Sequence, residues 1–216
     1  ESFDAVFMGV GLWAPKLPDI PGTDLDGVYP ANVFLKEART GKGKFDPGKK
    51  VIVIGGGDVA IDCAVTAKLL NAEEVRIVYR RAFEEAPAYM PEFHYALSLG
   101  IGVTTNMAPA EVVGDGKVEA MKFTGRKGVC EKSEMTLEAT TVVFAIGQGP
   151  EDVSDIAPVK LTEKGEIKTT KNGKTSDKRI FAGGDISNGG KTVVEAVAEG
   201  KEAAASIMEY LKKGVK

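Results

Sequence analysis

The run Lys50-Val51-Ile52-Val53-Ile54-Gly55-Gly56-Gly57-Asp58-Val59-Ala60, followed by Val75-Arg76-Ile77-Val78-Tyr79-Arg80-Arg81, constrains this chain more than any other feature. An apolar stretch too short for a helix stops at three glycines. Small residues then recur at Ala60, Cys63, Ala64 and Ala67 with helical spacing, and a second apolar stretch follows. The pattern predicts strand, tight turn, helix and parallel strand, and hence an α/β fold around a parallel sheet. In the G-x-G-x-x-A spacing, Gly55 permits the bend and Gly57 leaves the backbone bare for a pyrophosphate. Ala60 lets the helix lie close to the sheet. Gly56, Asp58 and Val59 complete this candidate dinucleotide turn, where helix N–H groups and the helix dipole favour an anion. Asp58 is expected to cap the helix or contact a ribose rather than face phosphate.

Arg80 and Arg81 stand at the end of the second strand. An acid there would accept hydrogen bonds from a ribose 2′-OH and repel a 2′-phosphate, whereas arginine offers a fixed fork of donors to phosphate oxygens. The pair therefore favours NADP(H) over NAD(H). The alternative is a solvated strand end with Arg81 paired to Glu84 or Glu85.

A third motif follows the same logic. Arg179-Ile180-Phe181-Ala182-Gly183-Gly184-Asp185 reads as a strand that delivers Asp185 to its carboxyl end, ahead of the loop Asn188-Gly189-Gly190-Lys191 and a helix from Thr192. A carboxylate there can accept from ribitol hydroxyls, and the N–H groups of Thr192 and Val193 can address an electron-rich carbonyl edge. In isolation the motif also fits a turn aspartate that caps nearby backbone.

The rest of the chain supplies the frame. Strands are expected at 3–10, where a buried strand opens the chain, at 141–146, at 167–169 and at 180–182. Helices are expected at 31–40, 90–99 and 192–212, and segments 111–113, 118–123 and 136–137 suggest a β-meander. Along the last helix Val193, Val197, Gly200, Ala204, Ile207 and Leu211 trace an apolar stripe. Ala5–Gly11 and Val143–Gly149 echo one another, as two strands would that each leave one domain for another. A chain that enters a strand at its first residues reads as a fragment of a longer polypeptide.

Composition narrows the function. The net charge of −3, with lysines spread along the chain, carries no footprint for nucleic acid. No apolar run is long enough to span a membrane, and the expected compartment is the cytoplasm. The two cysteines, Cys63 and Cys130, form no C-x-x-C pair, so the chain itself supplies neither a dithiol relay nor an iron–sulfur or zinc ligand set. His94 is the only histidine and has no acid–base partner in the pattern.

Together these motifs resemble the FAD/NADPH half of the glutamate synthase small subunit and its relatives, which include the electron-input half of dihydropyrimidine dehydrogenase. The matching residues are Phe3–Gly11 with Ile20-Pro21-Gly22, Gly55–Asp62, Val78–Arg81 with Met90-Pro91-Glu92, Ala145–Gln148, Phe181–Asp185 and Thr192–Ala196. The resemblance implies a two-dinucleotide-binding-domain flavoprotein. A Rossmann-like NADPH-binding domain with a parallel sheet and meander (31–146) is inserted in a partial FAD-binding domain (1–30 and 147–216). It implies NADP(H) and FAD as cofactors and no side-chain acid or base. Gly147 and Gln148 are implied near the nicotinamide, and Gly184, Asp185, Thr192 and Val193 near the flavin. Family members also carry an N-terminal glycine unit for the ADP half of FAD and an iron–sulfur domain, neither of which lies in this sequence. The FAD site is therefore expected to be incomplete, and the implied partners are that N-terminal portion and a catalytic subunit or domain. Glutamate synthase-like electron input is the leading expectation. The pyrimidine dehydrogenase branch, or NADP binding without turnover, is the alternative.

Overall fold

The computed structural model describes residues 3–41 and 43–214. The chain divides into two compact units, 15–147 and 1–14 with 148–216.

The 15–147 unit is built on a five-stranded parallel sheet. The strands met along the chain are β1 (Val6–Met8), β2 (Ala14–Pro15), β3 (Val28–Pro30), β4 (Lys50–Ile54), β5 (Glu74–Val78), β6 (Gly102–Thr104), β7 (Met107–Asp115), β8 (Lys117–Gly125), β9 (Glu134–Glu138), β10 (Thr141–Phe144), β11 (Gln148–Gly149) and β12 (Ile180–Ala182). The sheet runs β3-β10-β4-β5-β6, with Val53 opposite Ile77 and Val143. Its two faces explain why the central strands are apolar without alternation. Val51, Val53, Val75 and Ile77 pack toward the helices α1 (Ala31–Thr40), α2 (Asp58–Leu69) and α3 (Met90–Ser98). Ile52, Ile54, Val78 and Phe144 pack instead with Val112, Val118, Met121 and Phe123 of an antiparallel β7-β8-β9 sheet. The expected meander is thus a full three-stranded layer, longer than its apolar kernels because its outer positions are polar.

Helix α2 lies on β4 and β5 through the small residues that its sequence set in one row. Ala60, Cys63, Ala64 and Ala67 are all fully buried. Burial pushes the Cys63 thiol up to about 12, with the Asp62 charge adding to the shift.

In the other unit β1 runs parallel to β12, with Phe7 opposite Phe181. A short helix α4 (Asp185–Asn188) and a long helix α5 (Val193–Lys212) follow. Met8, Val153, Ala157, Ile167, Ala182 and Ile186 form its core. Three expectations change here. Val6 and Phe7 are exposed and only Met8 of β1 is buried, because among the described residues β1 pairs only with β12. Residues 167–169 form no strand beyond an isolated bridge from Ile167 to Leu161. On α5 the buried residues are Ala203 and Ser206, while Val193, Val197 and Leu211 of the apolar stripe are exposed. The packed face is set by close approach. A Cβ on Gly173 would stand 2.8 Å from the Cβ of Ala203, and the Ser206 hydroxyl donates to the Asn172 carbonyl at 2.9 Å.

Candidate functional site

The glycine turn after β4 separates its three glycines by role. A Cβ on Gly55 would stand 2.4 Å from the Ala145 carbonyl oxygen, and one on Gly56 would stand 2.5 Å from the Tyr79 ring. Both are required by the fold itself. A Cβ on Gly57 meets only Pro87, at 3.8 Å, so this position opens onto free space at the N-cap of α2. That opening is what a pyrophosphate needs, with helix-start N–H groups and the dipole behind it. Val59 is exposed on the first turn, and Ala60 is sealed against the sheet.

Asp58 does not cap α2, whose N-cap Gly57 receives no side-chain cap bond. Its carboxylate accepts the Tyr89 N–H at 2.7 Å, and the Gly56 carbonyl accepts the Ala88 N–H at 3.1 Å. The Tyr79 hydroxyl donates to the Glu85 carbonyl at 3.0 Å. The segment 79–90 therefore folds back over the turn and forms its rim. Sequence reasoning missed Pro87, Ala88 and Tyr89, for which the only signal was a proline beside an acidic pair.

Arg80 and Arg81 are exposed just beyond the end of β5. Glu85 is bound by Arg126 rather than by Arg81, which corrects the alternative pairing weighed for a solvated strand end. The Arg126 guanidinium, then the Ala82 N–H, holds the Glu85 carboxyl below the usual carboxylate range.

The 1–14/148–216 unit holds a cavity of about 400 Å³, within the range of small-molecule sites. Phe7, Gly184, Asp185, Lys191, Thr192 and Val193 are among the residues that line it. Gly184 has φ 77° and ψ −159°, a backbone region that only glycine enters readily, and it sends the chain from β12 into α4. Asp185 accepts the Lys191 N–H at 3.3 Å, which closes the glycine loop beside the cavity. Thr192 caps α5 reciprocally. Its hydroxyl accepts the Glu195 N–H at 3.3 Å, while Glu195 accepts the Thr192 N–H at 3.0 Å. The Glu195 carboxyl is lowered first by that backbone bond. The Thr192 N–H is therefore engaged, and among the described residues the Val193 N–H at the helix start has no protein partner.

The structure brings Gly55 through Ala60 together with Arg80 and Arg81 in one unit, and Gly184, Asp185, Thr192 and Val193 around one cavity in the other. Gly147 and Gln148 sit where the chain crosses between units. His94 is exposed on α3. Both cysteines are free thiols. No group of metal-ligating side chains occurs among the described residues, and no helix there is long and apolar enough to cross a membrane.

The fold is that of thioredoxin reductase and of FprA. Thioredoxin reductase from T. acidophilum superposes with a TM-score of 0.78 at 24% identity, covering 97% of this chain and 66% of that one. FprA from Mycobacterium tuberculosis, solved in complex with NADPH, gives 0.75 at 18% identity, covering 98% and 64%. The chain belongs to the pyridine nucleotide-disulphide oxidoreductase family, whose model matches residues 1–200. It is 35% identical to the glutamate synthase [NADPH] small chain of Escherichia coli K12 over 98% of its length and 51% of the relative's. It is 36% identical to the NAD-dependent dihydropyrimidine dehydrogenase subunit PreT of the same strain, over 96% and 47%. The chain thus spans about half the length of these relatives.

Proposed function

We propose that this chain is the electron-input module of a glutamate synthase small-subunit-like oxidoreductase, selective for NADPH. With both cofactors bound, the nicotinamide would supply a hydride to FAD, and the flavin would supply electrons to a partner subunit or domain. The observation that carries the reading is the pairing of the open Gly57 turn with Arg80 and Arg81 at the end of β5. Gly57 and the start of α2 would seat the pyrophosphate. Arg80 and Arg81 would bind the 2′-phosphate through charge-assisted hydrogen bonds. Asp185 and Val193 line a cavity of about 400 Å³, where the Asp185 carboxylate and the Val193 N–H would serve the ribitol and ring end of a flavin. Gly147 and Gln148 would serve the nicotinamide end. No side-chain acid or base is needed, because hydride transfer between these rings moves no proton through the protein.

The named relatives divide between NADPH and NAD, so the 2′-phosphate is the deciding group. Titration of NADPH and NADH tests it, with tighter NADPH expected and equal affinity contradicting the reading. A second reading is NADP binding without turnover. It is favoured by one observation, that among the described residues the cavity unit has no parallel strand running through a glycine turn directly into a long helix. The visible spectrum of the purified protein separates the two, since bound flavin is yellow.

A further inference from the structure

We propose that Arg126 is a specificity-determining residue of this site, a third guanidinium for the 2′-phosphate, presented from outside the β-α-β unit and positioned by Glu85. The inference rests on the NADPH reading above. Arg126 directly follows β8, on the antiparallel sheet, so no cofactor motif in the sequence includes it.

Its backbone is tied to the arginine pair through a single residue. The Arg126 N–H donates to the Asn106 carbonyl at 2.8 Å, and the Asn106 N–H donates to the Arg81 carbonyl at 3.0 Å. Its side chain returns to the same segment. Both terminal guanidinium nitrogens address the Glu85 carboxylate, Nη1 toward Oε2 and Nη2 toward Oε1. The same Oε2 accepts the N–H of Ala82, the residue after Arg81, at 3.0 Å. Arg126 is therefore clamped at both ends onto residues 81–85.

Stability does not account for this arrangement. The side chains of the pair are 35% and 41% exposed, and exposed ion pairs contribute little. The electrostatic consequence is larger. Three guanidinium charges (Arg80, Arg81 and Arg126) less the two carboxylates of the same segment (Glu84 and Glu85) leave one positive charge, against the roughly −1.5 to −2 of a phosphate monoester near neutral pH. An uncharged 2′-OH gains nothing from that excess. A guanidinium carries five N–H donors, and Glu85 occupies the ends of two nitrogens, so donors remain for phosphate oxygens. Glu85 prevents an exposed arginine from wandering while the site is empty, which lowers the ordering cost when the phosphate arrives.

The probes 2′,5′-ADP and 5′-AMP differ only in the phosphate at issue. Both are titrated by calorimetry into the full chain and into Arg126→Ala, at low salt where exposed charges are least screened. The expected result is a loss of about five- to tenfold for 2′,5′-ADP and less than about twofold for 5′-AMP. Equal losses for both probes would reduce Arg126 to a structural role, and no loss for either overturns the inference. A parent protein that prefers 2′,5′-ADP, with a preference unchanged in Arg126→Ala, overturns this inference alone. A parent that binds the two probes equally overturns the NADPH reading as well. Should Arg126→Ala fail to fold, Arg126→Gln replaces it, keeping most of the length and a donor for Glu85 but not the charge. It should lose affinity for 2′,5′-ADP relative to 5′-AMP, and an unchanged ratio overturns the proposal.

Discussion

Three adjacent glycines look alike in the sequence and do different things in space. Gly56 lies against the Tyr79 ring, so Gly56→Ala is expected to lower stability by about 1–3 kcal/mol, measured by denaturant unfolding. Gly57 faces an opening. Gly57→Val should leave the thermal midpoint within a few degrees of the parent while it abolishes NADPH binding, because its branched side chain fills the pyrophosphate's approach. A Gly57→Val protein with parental NADPH affinity would place the phosphates elsewhere. Cys63 supplies a second residue-scale test. Its thiol rises from 9.0 to about 12 on folding, so the native state keeps a proton that the unfolded chain loses across that window. This contribution to stability is complete below pH 9.0 and is lost as pH rises toward 12. At neutral pH a thiol reagent should label half-buried Cys130 first and reach Cys63 only on unfolding; rapid labelling of both thiols in the native protein would contradict its burial.

At the scale of elements, the reciprocal cap at the start of α5 is the clearest local device. Thr192→Ala removes the hydroxyl that accepts the Glu195 N–H and should cost about 1 kcal/mol, read as a shift in urea midpoint at constant slope. Glu195 is held below its ordinary value of 4.5 by the Thr192 N–H. A lowered carboxyl stabilises the fold above that value, and the contribution is lost as pH falls through the folded pKa. Glu195→Gln should therefore flatten the acid limb of the stability curve below pH 4.5. An acid limb identical to the parent's would mean the cap is not formed in solution. The β4-α2-β5 unit was legible to within a residue, since buried strands and a helix of small residues leave a local signature. The packed face of α5 was not. Apolar spacing marked Val193, Val197 and Leu211, but the contact follows Ala203, which alone fits the close backbone at Gly173. The Arg126–Glu85 pair and the rim formed by Pro87 and Tyr89 were equally hidden, because they depend on which loop meets which sheet. No local pattern encodes that meeting.

For the whole molecule, the two units are unequally equipped. The unit of residues 15–147 has both faces of its sheet covered and a complete strand–turn–helix for a pyrophosphate. The other unit has the cavity around Asp185, but β1 leaves Val6 and Phe7 exposed, and no equivalent turn seats a second pyrophosphate among the described residues. Association must overcome a large entropic cost before any affinity is seen. Under the second reading, NADP binding without turnover, the chain purifies without stoichiometric FAD and oxidises NADPH poorly, as visible absorbance and a turnover assay would record; under the first it purifies yellow. Tight FAD in the purified chain would mean that another part of this sequence anchors the pyrophosphate.

The central claim is that Arg80 and Arg81 make this an NADPH site, and one titration tests it most directly. Calorimetry of NADPH and NADH with the parent chain and with Arg80→Ala/Arg81→Ala should show NADPH bound more tightly by the parent. Each charge-assisted bond to the 2′-phosphate contributes roughly 1.5–3 kcal/mol, less where solvent screens it. The double variant should lose that preference and keep its NADH affinity. Equal affinities in the parent, or a preference that survives the double substitution, would contradict the account.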